Sequence, residues 1–209
     1  ILISPHDSNV VYHAANKLLK SSYRGEGWVE ISPDLTTNDP SKLPTGKGGD
    51  GNVTYCTITA VDESPIVRDL LWVGTDDGLG RLENGSWRLL GTEAGLPNPI
   101  VRSLHAGTGP GGEPALWVGT TGGGVALIDL AAESRPPILL DRGTLPGLPN
   151  DVIHGITEDA TGSVYLLTNR GVARLTPEPN PGPDGASYRV TSFNRSEEHT
   201  SELQSQNAI

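Results

Sequence analysis

The chain has 209 residues, a formal net charge of −10, 27 glycines and 17 prolines, and 5% of its residues are aromatic. The negative charge argues against a nucleic-acid-binding surface and against attraction to an anionic membrane. No apolar run approaches the length of a bilayer span. Because the composition favours short strands separated by turns, we expect an all-β fold. The single cysteine, Cys56, cannot form an internal disulfide.

Residues 1–36 are interpreted as the end of one four-stranded unit. Residues 10–15 have the pattern of a strand, Asn16 and Lys17 form a two-residue turn, and residues 18–21 return as the next strand. The segment therefore supplies part of a repeat.

A degenerate motif follows this hairpin. Residues 21–28 resemble the Asp-box of bacterial-neuraminidase-type (BNR) repeats, Ser-x-Asp-x-Gly-x-Thr-Trp. Ser21, Gly25 and Trp28 match the motif, whereas Tyr23 stands in place of the aspartate. The surrounding sequence is similar to sortilin-type propellers, which are grouped with glycoside-hydrolase-like proteins. The resemblance implies a hairpin on the rim of a blade, with the tryptophan buried.

A polar segment at residues 37–52 separates this unit from the rest of the chain. It is long for a connection inside a compact domain, and we expect a mobile loop. A strand is predicted after it, at residues 55–61.

One phrase occurs three times, at residues 71–78, 116–123 and 164–171. Each copy begins as an aromatic-aliphatic strand, reaches a turn that contains glycine or asparagine, and continues as a second strand. The copies start 45 and then 48 residues apart. A period of this length is typical of the blades of a β-propeller.

A second motif, Gly-Leu-Pro-Asn, occurs at residues 95–98 and 147–150. Alternating strands follow it, at residues 100–105 and 152–157. Together with the aromatic hairpins, these units resemble the two-component-regulator propeller repeat over about residues 70–176. The resemblance implies antiparallel blades from the sensor region of a hybrid two-component regulator.

The repeated strand also has a physical interpretation. Alternate strand residues face opposite sides of a sheet, so Trp72, Trp117 and Tyr165 can each lie between adjacent blades. Gly74 and Gly119 then leave room for the neighbouring sheet. The structural positions of the repeats are Trp28, Trp72, Gly74, Trp117, Gly119, Tyr165, Asp159 and Gly162.

The predicted architecture is a partial β-propeller of about three to four four-stranded antiparallel blades that does not close. Its segments are a partial blade at residues 1–36, the loop at 37–52, and blades at 53–94, 95–146 and 147–194. A single blade cannot bury both of its faces, so stability comes from contacts between neighbours.

The two ends and the middle of the chain need separate interpretation. Because the chain begins at Ile1 and contains no methionine, we interpret it as an internal piece of a longer protein. Residues 195–205 match the translation of a common sequencing-library adapter, so the tail at 195–209 is excluded from the fold. Residues 1–75 and 76–194 resemble different repeat classes, and either one propeller contains both classes or two sequences have been joined.

Several motifs invite a catalytic interpretation that their surroundings do not support. Residues 107–112 match Gly-x-Gly-x-x-Gly, but a strand rather than a helix follows them. The adjacent carboxylates of Asp76 and Asp77 precede a turn glycine, where aspartate favours local hydrogen bonds. The histidines show no metal-ligand spacing. We therefore predict no catalytic residue, no cofactor and no metal site.

The function that the regulator-type resemblance implies is ligand sensing in the periplasm or outside the cell. It implies an oligosaccharide ligand, and a parent protein that continues into a transmembrane segment and a kinase module. We expect no nucleic-acid partner and no direct membrane contact. The alternatives are a fragment of a sortilin-type or BNR-repeat glycoside-hydrolase-like protein, and a structural protein-interaction propeller. The candidate ligand contacts are polar residues of the turns and first strands, namely Asp76, Arg102, His105, Thr121, His154, Asn169 and Arg170.

Overall fold

The computed structural model describes residues 1–37, 39, 56–83, 85–132, 135–178 and 188–194. Within these ranges the chain forms strands and a single 3₁₀ turn, Thr92–Ala94, and no α-helix. No helix in the described part of the chain is long and apolar enough to cross a membrane. Most of the loop predicted at 37–52 and the whole tail at 195–209 lie outside the described residues.

The strands form four antiparallel sheets, each with its four strands in sequence order. Sheet 1 contains β1 (Leu2–Ile3), β2 (Val11–Ala14), β3 (Leu18–Ser21) and β4 (Val29–Glu30). Sheet 2 contains β5 (Ala60–Glu63), β6 (Leu71–Gly74), β7 (Leu79–Glu83) and β8 (Ser86–Leu90). Sheet 3 contains β9 (Val101–Thr108), β10 (Pro114–Thr120), β11 (Val125–Asp129) and β12 (Ile138–Leu140). Sheet 4 contains β13 (Ile153–Glu158), β14 (Val164–Thr168), β15 (Gly171–Pro177) and β16 (Tyr188–Phe193).

The four sheets follow one another as the blades of an open β-propeller. The first strand of sheet 3, β9, lies beside the first strands of sheets 2 and 4, β5 and β13. We call these first strands the inner strands. The predicted all-β fold, with four-stranded antiparallel sheets that do not close, is confirmed.

Apolar side chains fill the space between each pair of consecutive sheets. Tyr12 lies between sheets 1 and 2, Trp72 between sheets 2 and 3, and Trp117 between sheets 3 and 4. All three are fully buried. Because a large aromatic side chain buries about 150–250 Å², each contributes roughly 4–6 kcal/mol before chain entropy is subtracted. Burial between neighbours therefore holds the sheets together.

Tyr165 occupies the position in sheet 4 that Trp117 occupies in sheet 3, but its surroundings differ. It lies on the face of sheet 4 that points away from sheet 3, and it is half-buried. Its hydroxyl donates a hydrogen bond to Asp159 Oδ2 at 3.0 Å. Trp72 and Trp117 thus lie between blades, whereas Tyr165 faces the open side.

In three of the sheets the aromatic residue of the second strand lies directly opposite a cationic residue of the third strand. The cation lies 5.3–5.7 Å from the centre of the ring in each pair, which is within the range of a cation–π interaction. The pairs are Tyr12–Lys20, Trp72–Arg81 and Tyr165–Arg174.

The glycines at the ends of β6 and β10 allow the close approach of the next inner strand. A Cβ atom on Gly74 would lie 2.5 Å from Val101 Cγ1, and one on Gly119 would lie 2.8 Å from Ile153 Cγ2. These distances are too short for carbon atoms in contact, so a larger residue would push the sheets apart.

The Gly-Leu-Pro-Asn motif starts the inner strands of sheets 3 and 4. Gly95 has φ 94°, a left-handed conformation that glycine adopts without strain. Leu96 is buried between sheets, and the Asn98 side chain accepts a 2.9 Å hydrogen bond from the Ile100 N–H. Residues 147–150 repeat this geometry, and the Asn150 side chain likewise accepts a 2.9 Å hydrogen bond, from the Val152 N–H.

The predicted bounds of the strand at residues 55–61 are wrong. The first of these residues lies outside the described part of the chain. Strand β5 begins only at Ala60. Cys56 has φ 55°, and its N–H donates to Asp76 Oδ2 at 2.9 Å. The Ile58 N–H donates to the carbonyl of Ala15, in the turn between β2 and β3, at 2.6 Å. These groups are paired elsewhere and cannot extend the ladder to β6.

The motif that resembles an Asp-box forms a hairpin, but a different side chain stabilises it. The buried Ser21 hydroxyl accepts hydrogen bonds from the N–H groups of Tyr23 and Gly25 at 3.1 and 3.0 Å, and donates to Glu26 O at 2.5 Å. Trp28 is 42% exposed. The burial that the resemblance implied for this tryptophan is therefore wrong, and the serine organises the turn.

Candidate functional site

The inner strands of sheets 3 and 4 each contain a β-bulge at the same place. In β9 the pairing with β10 skips Arg102, and in β13 the pairing with β14 skips His154. The extra residue of a bulge has no direct partner, and the bend changes the direction of its side chain. Arg102 and His154 are therefore equivalent residues of neighbouring blades.

Each bulged residue contacts the turn that follows the second strand of its own sheet. Arg102 Nε donates a 3.0 Å hydrogen bond to Thr121 Oγ1. His154 Nε2 lies 2.5 Å from Asn169 Oδ1. The structure thus brings four of the predicted ligand contacts together as two pairs, while the neighbouring Arg170 side chain is exposed.

A cleft of about 390 Å³ lies along the inner strands next to the first of these pairs. Thr121 forms a β-bridge with Val152, so the Arg102–Thr121 pair lies at the junction of sheets 3 and 4. The cleft is lined by residues 58–61 at the start of β5, by β9 and β13, and by Ile1 and Ala14 beside sheet 1. Its charged side chain is that of Arg102.

Asp76 lies in the corresponding turn of sheet 2, but its carboxylate is occupied by the protein itself. It accepts hydrogen bonds from Thr37 Oγ1 at 2.7 Å and from the Cys56 N–H at 2.9 Å. Burial alone would raise the pKa of Asp76, but these hydrogen bonds outweigh it and hold the pKa below its usual value. Asp76 therefore joins the two ends of the segment between residues 37 and 56.

His105 lies farther along β9, in a contact between sheets. Its Nε2 is 3.3 Å from Glu158 Oε2 of β13, and the same oxygen accepts the Thr108 N–H at 3.0 Å. On the other side of β9, Asp62 Oδ2 of β5 accepts the Ala106 N–H at 2.8 Å. An edge strand leaves backbone groups without a ladder partner, and the carboxylates of both neighbouring sheets satisfy two of them here.

These two carboxyl groups have pKa values shifted in opposite directions. Burial raises the pKa of Asp62, and the N–H groups that it accepts only partly oppose this effect. Burial also acts to raise the pKa of Glu158, but the hydrogen bonds from Thr108 and His105 lower it overall. Glu158 is therefore held as a carboxylate.

Sequence reasoning gave no role to Asp62 or Glu158, and it did not pair the candidate ligand contacts. The bonds of these carboxylates to β9 join residues 44 and 50 positions apart. The one feature of the sequence that could have indicated these two residues is an acidic side chain near the end of an inner strand. The described residues contain no cluster of histidine, cysteine or carboxylate side chains that could hold a metal ion.

No described protein family and no curated protein sequence matches the chain, but solved structures do. The extracellular domain of the putative hybrid two-component system BT4673 from B. thetaiotaomicron is 21% identical, with a TM-score of 0.56 over 92% of this chain. The chain shares its fold with this domain. The corresponding domain of BT3049 from the same organism is 18% identical, with a TM-score of 0.50 over 94% of the chain.

An ancestral GH74 enzyme is 18% identical, with a TM-score of 0.59 over 94% of this chain. Both resemblances drawn from the sequence, to two-component regulators and to glycoside-hydrolase-like proteins, are therefore represented among similar structures. The chain covers 21% of the BT4673 domain and 24% of each of the other two. At these identities the likeness shows the fold.

Proposed function

We propose that this chain is a non-catalytic, ligand-binding part of a sensor propeller on the outer side of a membrane. The pairing of Arg102 with Thr121 and of His154 with Asn169 carries the proposal, because equivalent polar pairs on neighbouring blades can contact one ligand together. The likeness to extracellular domains of hybrid two-component systems supports the sensing role.

The ligand that we propose is an oligosaccharide, and the parent protein would pass the signal to a histidine kinase through a transmembrane segment. Polar side chains at the ends of strands and in turns suit a ligand with many hydroxyl groups. The carboxylates of the inner strands already accept hydrogen bonds from the protein, since Asp62 and Glu158 both bind backbone N–H groups of β9. This supports a non-catalytic role.

The proposal is tested by calorimetry of the 209-residue chain with a panel of neutral and acidic oligosaccharides. We expect at least one to bind, and the double variant Arg102→Ala/His154→Ala to lose that binding. Arg88→Ala, which removes an exposed cation from the outer strand β8, should bind as the unchanged chain does. Lack of binding across the panel would refute the sensing role. Sequencing the gene in both directions provides a second test, because it should reveal a transmembrane segment and a kinase.

One observation favours glycoside hydrolysis as a second candidate function. Asp62 and Glu158 have pKa values shifted in opposite directions, as in acid and base pairs. They bind the N–H groups of Ala106 and Thr108, two residues apart on β9, so both carboxyl groups lie along the same strand, and glycosidases act through a pair of carboxyl groups. Release of reducing ends from a polysaccharide panel, abolished by Asp62→Asn, would establish this alternative. Its absence would leave the carboxylates with a structural role.

A further inference from the structure

We propose that Arg102 makes this site selective for a carboxylate-bearing ligand, such as an oligosaccharide that contains uronic acid. This inference rests on the proposed ligand-binding function and specifies its ligand class. It is based on the direction of the Arg102 side chain, its remaining hydrogen-bond donors, and the charges around it.

The bulge and the turn fix the guanidinium from one side. Nε is held at 3.0 Å by Thr121 Oγ1, and Thr121 is held in turn by its β-bridge to Val152. A guanidinium that is fixed at Nε loses less freedom when it binds a ligand. The geometry therefore prepares Arg102 for binding.

The two Nη nitrogens of Arg102 have no hydrogen-bond partner among the residues that the structure describes. Arg102 lines the inner-strand cleft of about 390 Å³ and is only partly buried. Two parallel N–H donors at the edge of a guanidinium match the two oxygens of a carboxylate, and this arrangement is favoured over a single neutral contact.

The carboxylates of Asp151 and Asp76 are bound by other groups and not by Arg102. Asp151, which precedes the residue that bridges Thr121, is bound by Arg142 with an Nε–Oδ2 distance of 2.7 Å. Asp76 of the adjacent sheet accepts hydrogen bonds from Thr37 and Cys56. The chain has a net charge of −10. Arg102 nevertheless has no acidic partner among the residues that the structure describes.

The equivalent pair of sheet 4 supplies contacts of a different type. The exposed His154 and Asn169 present an imidazole and an amide, which exchange hydrogen bonds with hydroxyl groups. One blade would therefore bind the acidic group, and the next would bind the hydroxyls of a sugar ring.

The experiment compares acids with their neutral esters on the unchanged chain. Trigalacturonate, trimannuronate and triguluronate are each titrated calorimetrically beside their methyl esters, together with a panel of neutral oligosaccharides. We expect at least one acid to bind about ten- to hundredfold more tightly than its ester, as for a charge-assisted hydrogen-bonded pair. The advantage should decrease as the salt concentration rises.

Variants then assign the effect to Arg102. Arg102→Gln should reduce the advantage of the acid over the ester to less than threefold, and Arg102→Lys should keep part of it because the charge remains without the fork. Arg88→Gln, which removes the same charge from β8, should retain the full advantage. Circular dichroism verifies that each variant is folded, and the acid–ester comparison on the unchanged chain requires no variant.

The outcomes separate this inference from the proposed function. Binding of neutral oligosaccharides without preference for any acid would overturn the carboxylate selectivity and leave the sensing role intact. Binding of neither class would overturn both. A preference for the acid that Arg102→Gln leaves unchanged would overturn the assignment to Arg102.

Discussion

The close approach of sheets 2 and 3 at Gly74 provides a quantitative test of the blade arrangement. A methyl group added by Gly74→Ala would lie 2.5 Å from Val101 Cγ1 and 3.1 Å from Val101 Cβ, and Val101 is fully buried. Overpacking of this kind costs about 1–3 kcal/mol. The preference of a strand for alanine over glycine offsets about 0.5–1 kcal/mol of this. We therefore expect the free energy of unfolding to fall by roughly 1–2 kcal/mol.

The second half of the test removes the side chain that causes the overlap. Val101→Ala deletes two buried methyl groups at about 0.8 kcal/mol each, and the cavity brings the loss to about 2 kcal/mol. In that background the methyl group of Gly74→Ala enters the vacated space. The double variant should thus be at least about 1 kcal/mol more stable than the two single losses added together predict.

Urea titration followed by tryptophan fluorescence measures these differences, since Trp72 lies in the same cluster between sheets. Gly80→Ala is the matched control in sheet 2, because its Cβ would meet nothing closer than 3.5 Å. It should be neutral or slightly stabilising. If Gly74→Ala leaves stability unchanged, or costs the same in the Val101→Ala background, the proposed contact between the sheets is wrong.

Three further predictions concern the contacts between sheets and the open face. Glu158→Ala should speed hydrogen exchange at the Thr108 amide and lower stability by about 2 kcal/mol, because it removes a charged acceptor. The pKa of Asp76 is lower in the folded protein than in the unfolded chain. Its carboxylate therefore stabilises the fold at pH values above the unfolded pKa of about 3.9, and this contribution is lost as the pH falls through the folded pKa. Asp76→Asn should therefore make urea stability less dependent on pH below about 5. Leu167 and Phe193, which are 50% and 56% exposed on one face of sheet 4, should promote self-association, and replacing both by lysine should reduce it in light scattering.

Two of these predictions have a control variant in the chain. Glu178→Ala removes a carboxylate that pairs with an exposed arginine, and it should leave exchange at the Thr108 amide unchanged. Leu89→Lys alters an apolar side chain of the outer strand β8 that is 44% exposed, and it should affect self-association less than the double variant. An unchanged pH dependence in Asp76→Asn would contradict the role given to that carboxylate.

The sequence by itself determined the repeat, the blades and the aromatic residues that pack between the blades. The recurrence of an aromatic strand followed by a glycine turn needs only local pattern, because strand alternation and turn chemistry act over a few residues. Trp72 and Trp117 therefore occupy the interfaces that their spacing predicted.

Only the tertiary structure decided which polar residues meet. The bulges that redirect Arg102 and His154 depend on how two strands pair, and a skipped residue leaves no trace in composition or period. Likewise, Asp62 and Glu158 satisfy amides of a neighbouring sheet that lie 44 and 50 positions away. Such contacts arise when complete sheets pack together. A local sequence pattern does not show which residues of two different sheets will lie close to one another.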